Sequence, residues 1–88
     1  MTTIAYHFWS LECEPCSRMK ITFQLLKEDF PQFEWISVNI KDDRNGYVSK
    51  YGITNIPALV VDGPNGRQRY AGVDATMYYK ILSNTKVI

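Results

Sequence analysis

The hydrophobic pattern changes period early in the chain, and that change restricts the fold more than any other feature. Ile4-Ala5-Tyr6-His7-Phe8-Trp9 is dense in β-branched and aromatic residues and reads as a buried strand. Residues 10–14 form a polar break. From Cys16 onward, Met19, Phe23, Leu26 and Phe30 recur at spacings of four, three and four, which marks one face of an amphipathic helix. Pro15 suits the first turn of that helix, where its missing N–H is not needed, and Pro31 stops it. Residues 33–40 alternate in part, with Trp35, Ile36, Val38 and Ile40 apolar, and read as a second strand. Strand, helix and strand in succession imply a parallel pair joined by a right-handed crossover.

The remainder extends this sheet. Asp42 and Asp43 can cap a short helix over about residues 44–51, which Gly46 weakens and Gly52 ends. Residues 56–61 read as a third strand interrupted by Pro57. Asp62-Gly63-Pro64-Asn65-Gly66 is a hairpin loop by its turn residues, so residues 67–71 return antiparallel. Gly72 breaks that strand. Asp74 then caps a last helix whose buried stripe is Met77, Tyr78, Ile81 and Leu82. The predicted order is βαβαββα: an α/β fold with a four-stranded mixed sheet flanked by three helices. With 88 residues, one domain over 1–88 is expected, large enough for one modest core.

Charge and cysteine usage narrow the function. The net charge is +1 with acids and bases interspersed, so no basic field marks a nucleic-acid or anionic-membrane surface. No apolar run is long enough to span a bilayer. Met1-Thr2-Thr3-Ile4 leads straight into the first strand without the pattern of a signal peptide, which makes a cytoplasmic chain the expectation. The only cysteines are Cys13 and Cys16, in Cys-Glu-Pro-Cys. A bridge across so short a loop constrains the unfolded chain little, so it is a poor staple. In a reducing compartment such a pair indicates redox chemistry or metal binding.

The position of the pair suits redox use. Cys13 falls at the start of a helix, where unpaired N–H groups and the helix dipole favour the thiolate, the nucleophilic form. Cys16, about one turn further in, can attack a mixed disulfide on Cys13 and release the reduced substrate. Pro15 stiffens the turn between them. Glu12 and Glu14 flank Cys13, and their charge opposes the thiolate. They also suit basic partner surfaces, or serve only as solvated surface residues. Zinc is the competing use, but the chain offers two cysteines and one histidine, His7. A closed metal site would need Glu12 or a second chain, as in a metal-bridged dimer. The expectation is no metal.

These residues resemble the thioredoxin family. Phe8-Trp9-Ser10-Leu11-Glu12-Cys13-Glu14-Pro15-Cys16 is similar to that family's strand-to-helix active site, Phe-Trp-Ala-x-Trp-Cys-Gly-Pro-Cys. Lys50-Tyr51-Gly52-Ile53-Thr54-Asn55-Ile56-Pro57-Ala58-Leu59 is similar to its Tyr-Gly-Ile-x-x-Ile-Pro-Thr-Leu segment. Asn65-Gly66 and Gly72 fall where the family has a hairpin turn and a later glycine. The resemblance implies a cis peptide before Pro57, with Ile56 offering backbone groups to a bound peptide, and Trp9 shaping the active-site loop. It implies reduction of protein disulfides, with substrates such as ribonucleotide reductase, and regeneration by a thioredoxin reductase or by glutathione. It implies a monomer with no metal or organic cofactor.

Three departures qualify it. The chain starts at the central strand and is closer in size to glutaredoxin, and Gly72-Val73-Asp74 is loosely similar to the Gly-Gly-x-Asp segment used there near glutathione. A glutaredoxin acting with glutathione is therefore the first alternative. A non-catalytic binding module on the same frame is the second. His7 stands where thioredoxins carry a buried aspartate, and Ser37 where that aspartate has a lysine partner. His7 then either accepts the proton of Cys16 or is a hydrogen-bonded core residue. The acidic flanks of Cys13 are the third departure.

Overall fold

In the computed structural model, residues 3–87 are described. The expectation about a leader concerns Met1 and Thr2, which lie outside them, as does Ile88 at the end of the predicted domain. Four strands form one mixed sheet in the order β2-β1-β3-β4. They are β1 (Ile4–Trp9), β2 (Glu34–Asn39), β3 (Ala58–Gly63) and β4 (Gly66–Ala71). β1 pairs parallel with β2 and antiparallel with β3, and β3 pairs antiparallel with β4. Gly63 faces Gly66 across a two-residue turn, Pro64-Asn65.

The antiparallel register of β1 and β3 creates the site. Phe8 lies opposite Ala58, so the end of β1 lies beside the start of β3. The loop leaving β1 carries Cys13, and the loop entering β3 carries Pro57.

Strand alternation divides the core into two layers. On one face, Ala5, Leu59 and Val61 pack under Met19, Phe23 and Leu26 and under Tyr78, Ile81 and Leu82. On the other, Tyr6, Phe8, Val38, Ala58 and Val60 pack with Tyr51. Removing each large side chain from water contributes roughly 1.5–3 kcal/mol. Phe30 and Met77, expected in the buried stripes, are only half-buried.

The helices depart from expectation in two places. The first predicted helix is two segments, α1 (Glu14–Arg18) and α2 (Lys20–Asp29), so the described residues form four helices rather than three. No proline stands at the break. The Met19 amide is shared between the carbonyls of Pro15 (3.1 Å) and Cys16 (3.2 Å), which tightens the turn as a 3₁₀ bond does. The next helix, α3 (Tyr47–Lys50), is shorter than predicted because Gly46 has left-handed backbone, φ 70°. Asp43 still caps it, accepting from the amides of Tyr47 (2.9 Å) and Val48 (2.8 Å). The last helix, α4 (Ala75–Asn84), starts at its predicted cap, with Asp74 accepting from the Thr76 amide at 3.0 Å.

Candidate redox site

Cys13 is the N-cap of α1, and its extended backbone (φ −94°, ψ 110°) turns the chain from the loop into the helix. It is joined to Cys16 by a disulfide, with the Cα atoms 5.2 Å apart. The Cys16 amide donates to Cys13 Sγ at 3.1 Å, so the cap is the sulfur itself. An N–H aimed at a sulfur stabilises negative charge there once the bond is reduced. Cys13 is half-buried, whereas Cys16 is buried beneath it. The two sulfurs therefore differ in access, as an attacking and a resolving thiol require.

Pro57 closes the other side. The Ile56–Pro57 peptide is cis. The Ile56 carbonyl oxygen lies 3.8 Å from Cys13 Sγ, which places a backbone acceptor at the rim of the dithiol. Pro57 itself is buried, and its carbonyl accepts from the Gly72 amide at 3.0 Å. Gly72 has φ +151°, and a Cβ there would meet the Tyr70 side chain. The backbone thus favours glycine, and any side chain there would also displace the end of Tyr70.

Tyr78 is legible in the sequence only as core, yet it holds this corner together. Its hydroxyl lies 3.1 Å from the Pro57 carbonyl and also bonds to the Gly72 carbonyl. Burial pushes its hydroxyl pKa up, so it remains a donor. The available signal is a tyrosine in a buried stripe, whose O–H must find a partner.

On the opposite flank, Trp9 is half-buried and its Nε1 donates to Ser37 Oγ at 2.6 Å. Ser37 is the register partner of His7. His7 projects to the α2 side of the sheet and stacks on Phe23, with ring centroids 3.6 Å apart. It lines one cleft together with Cys16, Trp9 and Lys27. Its Nδ1 is buried and has no hydrogen-bond partner. Burial first, then the Lys27 charge, pushes its pKa down to about 3. Burial thus disfavours the charged form of His7, and its Nδ1 is not hydrogen-bonded as a core histidine's would be.

Glu14 and Pro15 occupy the first turn of α1. Glu14 pairs with Arg18 at 3.4 Å on the exposed face. Glu12 is exposed, and its amide donates to Ser10 Oγ at 3.2 Å. The structure thus brings Cys13, Cys16, Ile56, Pro57 and Gly72 to one corner and sets His7 and Trp9 behind it. Among the described residues, no three or more His, Cys, Asp or Glu side chains converge on a point that could hold a metal ion. Nor is any helix there long and apolar enough to cross a membrane.

Known proteins share this architecture. No family model matches the chain. A thioredoxin of Mycoplasma genitalium is 33% identical over 54 residues, which is 61% of this chain and 52% of that protein. The chain thus spans about half the length of this curated relative. The solved thioredoxin of Fasciola hepatica superposes with a TM-score of 0.83 at 21% identity, covering 96% of this chain and 81% of that one. Oxidised mitochondrial thioredoxin 3 of Saccharomyces cerevisiae gives 0.82 at 16% identity, over 93% and 77%. The chain has the thioredoxin fold. It carries a Cys-x-x-Cys disulfide at the head of its first helix.

Proposed function

We propose that this chain is a thiol–disulfide oxidoreductase that reduces protein disulfides. The observation that carries this reading is the graded access of the two sulfurs beside a cis-proline carbonyl corner. Cys13, half-buried and capped by the Cys16 amide, attacks a substrate disulfide as the thiolate. One substrate sulfur leaves as a thiolate and a mixed disulfide forms on Cys13. Cys16 then attacks Cys13 Sγ, and the second substrate sulfur leaves. The substrate gains two electrons and the protein ends as the disulfide. Ile56 offers backbone groups to the substrate chain, and Pro57 and Gly72 shape the corner that receives it.

No metal or organic cofactor takes part in these steps. The disulfide is reduced again by a thioredoxin reductase or by glutathione. We place the protein in the cytoplasm as a monomer, acting on partners of the ribonucleotide reductase kind. His7 stands as a neutral wall of the site, because an imidazole whose pKa is pushed down to about 3 is a weak acceptor for the Cys16 proton. The pH dependence of thiol exchange in His7→Ala is expected to match that of the native protein. A displaced profile would return His7 to proton transfer from Cys16.

The test is the equilibrium of Cys13 and Cys16 against glutathione redox buffers, read by alkylation and mass. A reversible two-electron transition at strongly reducing potential, with no stable adduct, is expected. A persistent glutathione adduct on Cys13 at milder potential would favour the glutaredoxin reading, for which Gly72-Val73-Asp74 is the supporting feature. Full partner binding by Cys13→Ser, Cys16→Ser without turnover in the native protein would favour a binding module.

A further inference from the structure

β4 ends the sheet, so only one of its two sides is paired. The Gly72 amide bonds to the Pro57 carbonyl at 3.0 Å, and the β3–β4 register carries that pairing down the ladder. Hydrogen-bonded and non-bonded pairs alternate in an antiparallel ladder. Gln68 and Tyr70 therefore bond to β3, whereas Arg67, Arg69 and Ala71 turn their N–H and C=O groups away from it. No hydrogen bond among the described residues reaches those outward groups.

The groove beside this row carries one sign of charge. Its volume is about 370 Å³, and Arg67, Arg69, Met77, Lys80 and Asn84 are among its lining residues, none of which is acidic. Arg67 and Arg69 stand on the α3 face of the sheet, against Tyr51. Lys80 belongs to α4, which packs on the other face. Asp62 partly offsets Arg67 at 3.8 Å. Arg69 and Lys80 are exposed and form no ion pair among the described residues. Positive charge thus flanks the unpaired backbone on both faces.

We propose that this edge docks an acidic, extended segment of a partner protein, which adds to the sheet as a fifth strand. Main-chain bonds to Arg67, Arg69 and Ala71 supply the pairing, as in other cases of strand addition. Successive side chains of the added strand fall on opposite faces. Carboxylates on one face meet Arg67 and Arg69, and those on the other meet Lys80. Charge complementarity selects this occupant. A second copy of this chain would set arginines against arginines, an unfavourable cross-strand pairing. The inference goes beyond the redox reading and does not depend on it, because neither sulfur lies on this edge.

The experiment titrates the ¹⁵N-labelled protein with a capped peptide, Glu-Glu-Val-Glu-Thr-Glu-Glu, and in parallel with the same peptide carrying lysine for every glutamate. Saturable shifts along β4 are expected with the acidic peptide. At saturation, hydrogen exchange at the Arg67, Arg69 and Ala71 amides should slow by about tenfold or more, while Gln68 and Tyr70, already bonded to β3, change little. The lysine peptide should bind about tenfold more weakly or worse. In Lys80→Glu, an exposed position where folding is not at stake, the acidic peptide should lose several-fold in affinity. The absence of saturable shifts, shifts confined to other surfaces, or unchanged exchange at the three amides would overturn the proposal. So would equal affinity for the two peptides, or undiminished affinity in Lys80→Glu.

Discussion

Burial and the Lys27 ammonium both act against a proton on His7, moving its pKa from 6.5 to about 3. In the unfolded chain the imidazole takes its proton near the ordinary value. Between about pH 6.5 and 3 the unfolded state therefore binds a proton that the folded state refuses. Stability is complete above that window and falls as pH drops through it, by up to about 1.4 kcal/mol per pH unit. Urea unfolding at pH 7 and pH 5 should show a loss about 2 kcal/mol greater in the native protein than in His7→Phe. Equal losses would mean that the folded imidazole titrates normally. Tyr78 poses the same accounting in neutral form. Its hydroxyl serves the carbonyls of Pro57 and Gly72, so Tyr78→Phe leaves that corner short of a donor. A cost of about 1–2 kcal/mol is expected, with faster hydrogen exchange at the Gly72 amide. At the dithiol, Glu12→Gln, Glu14→Gln removes two negative charges beside Cys13. The Cys13 pKa should fall by a few tenths of a unit, roughly the screened Coulomb effect of exposed groups. The pH profile of iodoacetamide alkylation reads it, and an unchanged or higher value would contradict the argument.

At the scale of elements, α3 shows how little local propensity settles. Gly46 breaks the helical backbone, yet the carboxylate of Asp43 reaches across the turn to two free amides at its start. Asp43→Ala should cost about 1–2 kcal/mol in urea unfolding. Asp42→Ala should cost next to nothing, because its pair with Arg44 is exposed. Similar costs for the two would show that the capping geometry is not what stabilises α3. Much of the frame is legible from sequence because it rests on periodicity and punctuation. The β1 run, the stripe of Met19, Phe23 and Leu26, the Gly63–Gly66 turn and the Asp74 cap are all local signals. The α1–α2 break is not, because Met19 is a good helix former and only the shared amide bond marks it. Cys13, Cys16, Pro57 and Gly72 can be picked out by motif. Which face His7 takes, the Lys27 beside it and the bond from Tyr78 all depend on packing between segments far apart in sequence, and one chain's pattern does not encode them locally.

At the scale of the molecule, the sheet ends at β2 and β4, and such edges expose unpaired backbone groups that can recruit another chain. β4 is the more open of the two, with every residue but Tyr70 exposed. Its sequence, Gly-Arg-Gln-Arg-Tyr-Ala, meets that hazard with charge. Arg67 lies over the Tyr51 ring at 4.5 Å and pairs with Asp62 at 3.8 Å. Arg69 donates to the Tyr51 carbonyl at 2.8 Å. Both guanidinium groups thus stand along the strand while tying it to the end of α3. Replacing both arginines by valine takes the net charge from +1 to −1, so its magnitude is unchanged. What changes is the edge, which becomes a β-branched strand with nothing to repel a second copy. The Arg67→Val, Arg69→Val protein should therefore self-associate with rising concentration, read by light scattering on a sizing column, while the native chain stays monomeric. Because the Arg69 bond to Tyr51 is also lost, far-UV circular dichroism must first show the variant folded. A folded variant that remains monomeric at every concentration would mean that β4 is protected by its twist and shortness rather than by its arginines.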